Sequence, residues 1–174
     1  NTPFKKMYVP SAGHDAGTSV GSALYLYNHI LSNDRLEEIK TAYFGRKSDN
    51  NEIIDCLEKL GVKYEKVDDD ILFDRVSDKL VNGGVIGWFQ GRAEFGPRAL
   101  GHRSIIVDPR RKDAKDLLNE KIKRRESFRP FAPSILEEYV EEYFVQNDEV
   151  PFMEKVYDIK KETHSEIRAV THVD

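Results

Sequence analysis

The sequence predicts an α/β fold, and three observations carry that prediction. Between residues 50 and 107 the apolar pattern reads helix, strand, helix, strand, the rhythm of helices layered on a sheet. The spacing predicts amphipathic helices over 50–60 and 70–81, each closed by glycine. The run Val85, Ile86, Trp88 and Phe89 predicts a strand, and Ser104 to Val107 predicts another, with a glycine-rich loop between them.

In chain order, Met7 to Val9 reads as a short strand, and Pro10, Gly13 and Gly17 mark a tight turn. From Thr18 the spacing of Val20, Leu24, Tyr27 and Leu31 predicts a helix, and Gly21, Ser22 and Ala23 let it pack closely. A strand, a glycine turn with an acid and a helix can place a phosphate at the helix N-terminus. The same residues equally fit an ordinary helix start with Asp15 as a near-cap. Ser32 to Ser48 is polar and irregular and reads as a linker. Asp49 or Asn50 caps the 50–60 helix, Val62 to Val67 reads as a strand, and Asn82-Gly83-Gly84 stops the next helix. A further helix is expected over 113–125, with Ala114, Leu117, Leu118 and Ile122 facing inward and Asn119 and Lys123 on one face. Residues 128–136 carry two prolines and suit an edge strand or extended brace. Residues 137–144 suit a short acidic helix, and the rest is less regular.

At 174 residues, with 39% hydrophobic and 33% charged residues, the chain suits a soluble globular protein of one domain or slightly more. No apolar run approaches the roughly 20 residues that span a bilayer. Asn1 opens directly in polar, turn-like sequence, so no leader is expected. The lone cysteine, Cys56, cannot form an internal disulfide, which points to a reducing cytoplasm; its helical position with Ile53, Leu57 and Leu60 reads as packing. Net charge is −4, but Trp88 to Pro133 carries twelve Lys or Arg against six Asp or Glu, leaving −10 on the remainder. Any affinity for polyanions belongs to that segment.

Within it, Gly91, Gly96 and Gly101 recur at five-residue intervals, interleaved with Arg92, Arg98 and Arg103. Glycine permits close backbone approach, arginine supplies forked donors for carboxylate or phosphate, and Pro97 stiffens the loop. These residues, with Ser104, Asn119, Lys121, Lys123 and Arg129, fit an anion-binding site whose guanidinium groups converge on one pocket. A generic Arg-Gly loop equally fits solvated charge with turn-marking glycines, a reading that Pro97 weakens. His102 lies in the same loop and could donate to an anion, but a lone loop histidine is more often merely solvated. No Ser-His-Asp set, CxxC, HExxH or GxxxxGK[ST] occurs, and the five histidines have no ligand spacing.

The stretch GWFQGRAEFGPRALGHRSIIVDPR, followed by NEKIKRRESFRPFAPSIL, closely resembles the C-terminal domain of the O-carbamoyltransferases of nodulation-factor and antibiotic-tailoring type. GHDAGTSVGSAL, residues 13–24, resembles the GDAGTALGAAL motif that ends that family's actin-like domain. The resemblance implies an α/β, YrdC-like twisted mixed sheet with flanking helices, preceded by the terminal strand–turn–helix of a Kae1-like domain. On that reading residues 1–33 end the Kae1-like domain, 34–48 form the linker, and 49–174 form a truncated YrdC-like domain. It implies carbamoyl-adenylate formation from carbamoyl phosphate and ATP, then transfer to a hydroxyl of a sugar or natural-product acceptor. Arg92, Arg98 and Arg103 match the catalytic arginines. Ser104, Asn119, Lys123 and Glu94 match the substrate pocket, and Gly17 and Thr18 match the nucleotide-facing turn. Glu94 is expected either to orient an arginine or to hold magnesium through water. Asp15 matches a metal ligand, with magnesium and iron both open, but one carboxylate cannot make a metal site alone. The implied partner is the remainder of the same polypeptide, with no membrane and no nucleic acid. The alternative is a non-catalytic RNA- or nucleotide-binding module, in which Trp88, Phe89, Phe95 and Phe128 join the basic segment.

Overall fold

The structure is a computed structural model and describes residues 3–4 and 7–172. It is mixed α/β. Helix α1 (Gly17–Tyr25) continues into a π turn over Leu26–Ile30; α2 spans Asn50–Lys59 and α3 Asp69–Val81. Strands β1 (Val85–Phe89) and β2 (Arg103–Val107) pair antiparallel. The short helix α4 (Ala114–Asp116) passes into a π stretch, Leu117–Lys123, and a 3₁₀ turn, Glu137–Tyr139, leads into α5 (Val140–Tyr143).

Local chemistry accounts for the middle of the chain. Asp49 caps α2, accepting the Glu52 N–H at 2.9 Å, and Gly61 ends it at φ +65°. Two aspartates, Asp69 and Asp70, occupy the first turn of α3, where the helix dipole favours them. Gly83 follows α3 at φ +83°, and its carbonyl accepts from Arg111 Nη1, tying the helix end to the segment after β2. The hairpin register runs from Val85 opposite Val107 to Phe89 opposite Arg103. After β2, Asp108 is nearly buried and its carboxylate clasps Arg110 at 2.6–3.0 Å.

Several expectations are corrected. Instead of a twisted mixed sheet, the described residues form a two-stranded antiparallel one. Met7 to Val9 and Val62 to Val67 have no ladder partner, and extended residues without a partner do not make a strand. Residues 128–136 are likewise unpaired, consistent with Pro130 and Pro133. Cys56 is exposed rather than packed. Ile122, expected to face inward, is 46% exposed.

The linker end is also more than a tether. Residues 42–47 run against 92–95: the Gly45 N–H donates to the Ala93 carbonyl, the Ala93 N–H to Arg46, and the Phe95 N–H to Ala42, which is buried. The turn before α1 reaches the same place. A Cβ on Gly96 would stand 2.4 Å from the Ser11 carbonyl oxygen, and its φ of +136° suits glycine alone. The early turn, the linker end and the arginine loop therefore pack together.

The core is small. Ala114, Leu118, Phe144, Phe152, Ile167 and Ala169 are buried, but Leu26, Ile30 and Leu31 after α1 and Phe73 and Val81 of α3 are more than half exposed. Accessible surface is 13893 Å², whereas a compact monomer of this mass shows about 8,700 Å². Replacing Gly96 by alanine forces both a backbone clash and strained φ, so urea denaturation should show a loss of about 1–3 kcal/mol. An unchanged midpoint would contradict the packing of residue 96 on the early turn.

Candidate functional site

The hairpin holds the arginine loop, Gln90 to His102, at its open end. Its organiser is Glu94. One carboxylate oxygen, Oε1, accepts the backbone N–H groups of Leu100 at 2.7 Å, His102 at 3.0 Å and Arg103 at 3.2 Å. Partial burial alone would raise this carboxyl's pKa. The three backbone donors outweigh burial and hold it below the ordinary 4.5. Ser104 Oγ accepts the Gly101 N–H at 2.9 Å and closes the turn. Glu94 thus shapes backbone, and its carboxylate bonds no arginine side chain among the described residues.

The three arginines have different surroundings. Arg103 lies flat on Phe89, its guanidinium carbon 3.5 Å from the ring centroid, as the cross-strand register dictates. Its nitrogens donate to the carbonyls of Gln90, His102 and Gly91 at 2.5, 2.9 and 3.2 Å. Arg92 donates to the Gly45 carbonyl at 3.1 Å. Arg98 is exposed at the loop tip and has no ion pair or side-chain hydrogen bond among the described residues. The expected convergence on one pocket is not seen. A cleft of about 390 Å³ lies between Pro133–Leu136 and Tyr139–Phe144, and another of about 120 Å³ between residues 7–9 and 149–155; none of the three arginines lines either. Arg103 is held because the carbonyls of a glycine turn need donors, and its own fork supplies them.

Asn119 is also relocated. It is fully buried, donating to the Ser127 and Arg129 carbonyls at 3.2 and 3.0 Å and accepting from Arg125 Nε at 2.7 Å. The π stretch breaks the four-residue spacing, so Lys123 is exposed while Asn119 points inward. Asn119 braces the chain around Arg125 instead of facing a ligand surface. Arg129 pairs with Glu126 at 2.8 Å yet stays exposed. Arg110 and Arg111 pair with Asp108 and Asp113. Of this segment's expected set, Arg92, Arg98, Arg103, Lys121 and Lys123 lie outside such pairs among the described residues, and Arg103 is spent on backbone carbonyls.

In the early turn, Thr18 Oγ1 donates to the Asp15 carbonyl at 2.6 Å, and the Gly17 N–H to His14 at 2.8 Å. A Cβ on Gly17 would meet the Ala12 carbonyl oxygen at 2.1 Å, so glycine is required for the turn to close. Asp15 is exposed, and no group of three potential ligands occurs among the described residues. One carboxylate does not fit a metal site, and no step is assigned to a metal here. Two features carried no sequence signal. Tyr43 stacks on His102, 3.6 Å between centroids at 11°, across 59 positions, and its hydroxyl donates to the Leu100 carbonyl at 2.7 Å.

Residues 77–174 match the family model described as carbamoyltransferase C-terminus, more than half of the chain. The chain is 40% identical to nodulation protein NolNO of Sinorhizobium fredii, over 98% of its own length and 26% of that protein's. It is 39% identical to nodulation protein NolO of Bradyrhizobium diazoefficiens, over 98% and 32%. It is 44% identical to a 3'-hydroxymethylcephem-O-carbamoyltransferase of Amycolatopsis lactamdurans, over 58% and 19%. The chain belongs to the carbamoyltransferase family, and it spans a third or less of the length of these curated relatives. None of its helices, among the described residues, is long and apolar enough to cross a membrane.

Because the Glu94 carboxyl is held below its ordinary value, its stabilising effect is complete above about pH 4.5 and lost as pH falls through the lowered value. Glu94→Gln keeps an acceptor oxygen but weakens charge-assisted bonds. It should lower stability near neutral pH by about 1–2 kcal/mol and flatten the acid limb of a thermal-melt series. An acid limb that survives unchanged in the variant would show that the carboxylate does not hold the loop.

Proposed function

We propose that this chain supplies the phosphate-handling part of an O-carbamoyltransferase. On this reading the enzyme uses ATP and carbamoyl phosphate to make carbamoyl-adenylate, then passes the carbamoyl group to a hydroxyl of a small acceptor. The observation that carries it is the ordered loop: Glu94 fixes the backbone, and Arg98 is presented at its tip without a protein partner. Such preorganised cationic donors suit charge neutralisation on transferring phosphoryl groups. Arg92, bonded to the Gly45 carbonyl, and Lys121 and Lys123 are the further cations outside ion pairs among the described residues. Arg103 works by holding the carbonyls that shape the loop.

The finer fold reading belongs to this proposal. Residues 49–174 form part of a YrdC-like domain, and residues 1–33 end a Kae1-like one. Packing of Gly96 on Ser11 then brings the adenylate-forming loop against the turn that carries Asp15, Gly17 and Thr18. That turn faces nucleotide, and Asp15 becomes a metal ligand once further ligands of the full polypeptide join it. The apolar side chains exposed after α1 and on α3 are covered by the rest of that polypeptide, which is the chain's principal partner, in the cytoplasm. The similar cephem enzymes are named for carbamoylating an oxygen, which supports a hydroxyl acceptor here.

Arg103 occupies one face of Phe89, and Trp88 and Phe95 are half-buried, which limits an open stacking surface for RNA, although Phe89 and Phe128 stay 54% and 74% exposed. In the full-length enzyme, Arg98→Ala should reduce ATP–pyrophosphate exchange by on the order of 10²-fold, while transfer from supplied carbamoyl-adenylate persists. Normal ATP consumption by that variant would overturn the proposal.

A further inference from the structure

His102 is restrained on every side but one. Its Nδ1 lies 2.6 Å from the Arg92 carbonyl, and a carbonyl only accepts, so Nδ1 carries the hydrogen. Tyr43 stacks on the ring, and Tyr43 is itself fixed through its hydroxyl to Leu100. Gly91 sits so close that a Cβ there would stand 3.1 Å from Cε1 and 3.3 Å from Nδ1. The His102 N–H is held by Glu94, and its carbonyl accepts the Gln90 N–H and Arg103 Nη1. A histidine that is merely solvated has none of these restraints. They leave Nε2, which has no hydrogen-bond partner among the described residues on a half-exposed ring.

We propose that His102 Nε2 is an anion-binding group of the arginine loop. It donates a hydrogen bond to a phosphoryl-type oxyanion when the imidazole is protonated. The inference rests on the reading of this loop as a phosphate site and deepens it by adding a titrating member. Since Nδ1 already donates to a carbonyl, neutral His102 presents Nε2 as a bare lone pair, which repels an oxyanion. Protonation converts it to a donor and adds a positive charge. Anion binding and protonation therefore favour each other by the same factor. The charged groups around the ring are those of Arg92, whose carbonyl holds Nδ1, of the adjacent Arg103, and of Glu94, bonded at the His102 N–H. The Tyr43 phenol is engaged with the Leu100 carbonyl.

Sulfate is the probe, because its charge does not change near neutral pH. Calorimetric titration of the whole chain at about pH 6 and about pH 8 brackets the ordinary imidazole range. The unmodified chain should bind sulfate about tenfold more tightly at the lower pH, one charge-assisted hydrogen bond's worth. In His102→Asn the amide keeps a donor for the Arg92 carbonyl but removes Nε2, and the pH dependence should vanish. If circular dichroism shows that variant unfolded, His102→Gln, which places an uncharged amide near the Nε2 position, carries the test with the same expectation. A folded variant that keeps the full pH dependence overturns the role of His102 and leaves the loop an anion site. No sulfate binding at either pH overturns both.

Discussion

A single oxygen of Glu94 gathers three consecutive-turn N–H groups, and the geometry of the arginine loop follows from that gathering. A loop of thirteen residues joins the two paired strands, and among the described residues only 92–95 of it find backbone partners in another segment, 42–47. Glycines at φ +49°, +136° and +101° let it fold back on itself, but they also enlarge its unfolded ensemble. A half-buried acceptor with a full charge offsets that entropy better than a neutral one. Arg103 completes the arrangement from the other side, donating to carbonyls while its plane rests on Phe89. The two side chains serve the same loop without pairing with each other: the carboxylate takes amides, the Arg103 N–H among them, and the guanidinium takes carbonyls.

What this frees is as informative as what it uses. Arg98 has no side-chain partner among the described residues, and His102 is fixed in tautomer and plane with Nε2 left over. An exposed loop would ordinarily spend its polar side chains on its own backbone. Here two cationic or titratable groups are presented outward by a frame that others hold. On the proposed route that surface receives a phosphate-type anion, and the chain belongs to the carbamoyltransferase family. The large accessible area and the apolar residues exposed after α1 and on α3 fit a chain that covers a third or less of its relatives' length.

Helices α2 and α3 and the β1–β2 hairpin were legible because their signals are local: Asp49 as cap, Gly61 and Gly83 as stops, β-branched and aromatic runs as strands. The Val62–Val67 run carried the same local signal and forms no strand, because pairing is a property of two segments. Asn119 was legible as polar on a helix, but the π stretch rotates it inward, and no residue type announces that shift. The Tyr43–His102 stack and the pairing of residues 42–47 with 92–95 join distant positions and left no periodic trace. Glu94 was recognised as belonging to the site, yet its task, accepting amides, depends on a fold-back that sequence alone does not reveal.

Amide hydrogen exchange at Leu100, His102 and Arg103 tests the Glu94 frame most directly. The three N–H groups should exchange far more slowly than those of Pro97's neighbours Arg98 and Ala99, which make no such bonds. They should also lose protection together when Glu94 is replaced by alanine. Exchange of all three at unprotected rates in the unmodified chain would contradict the account.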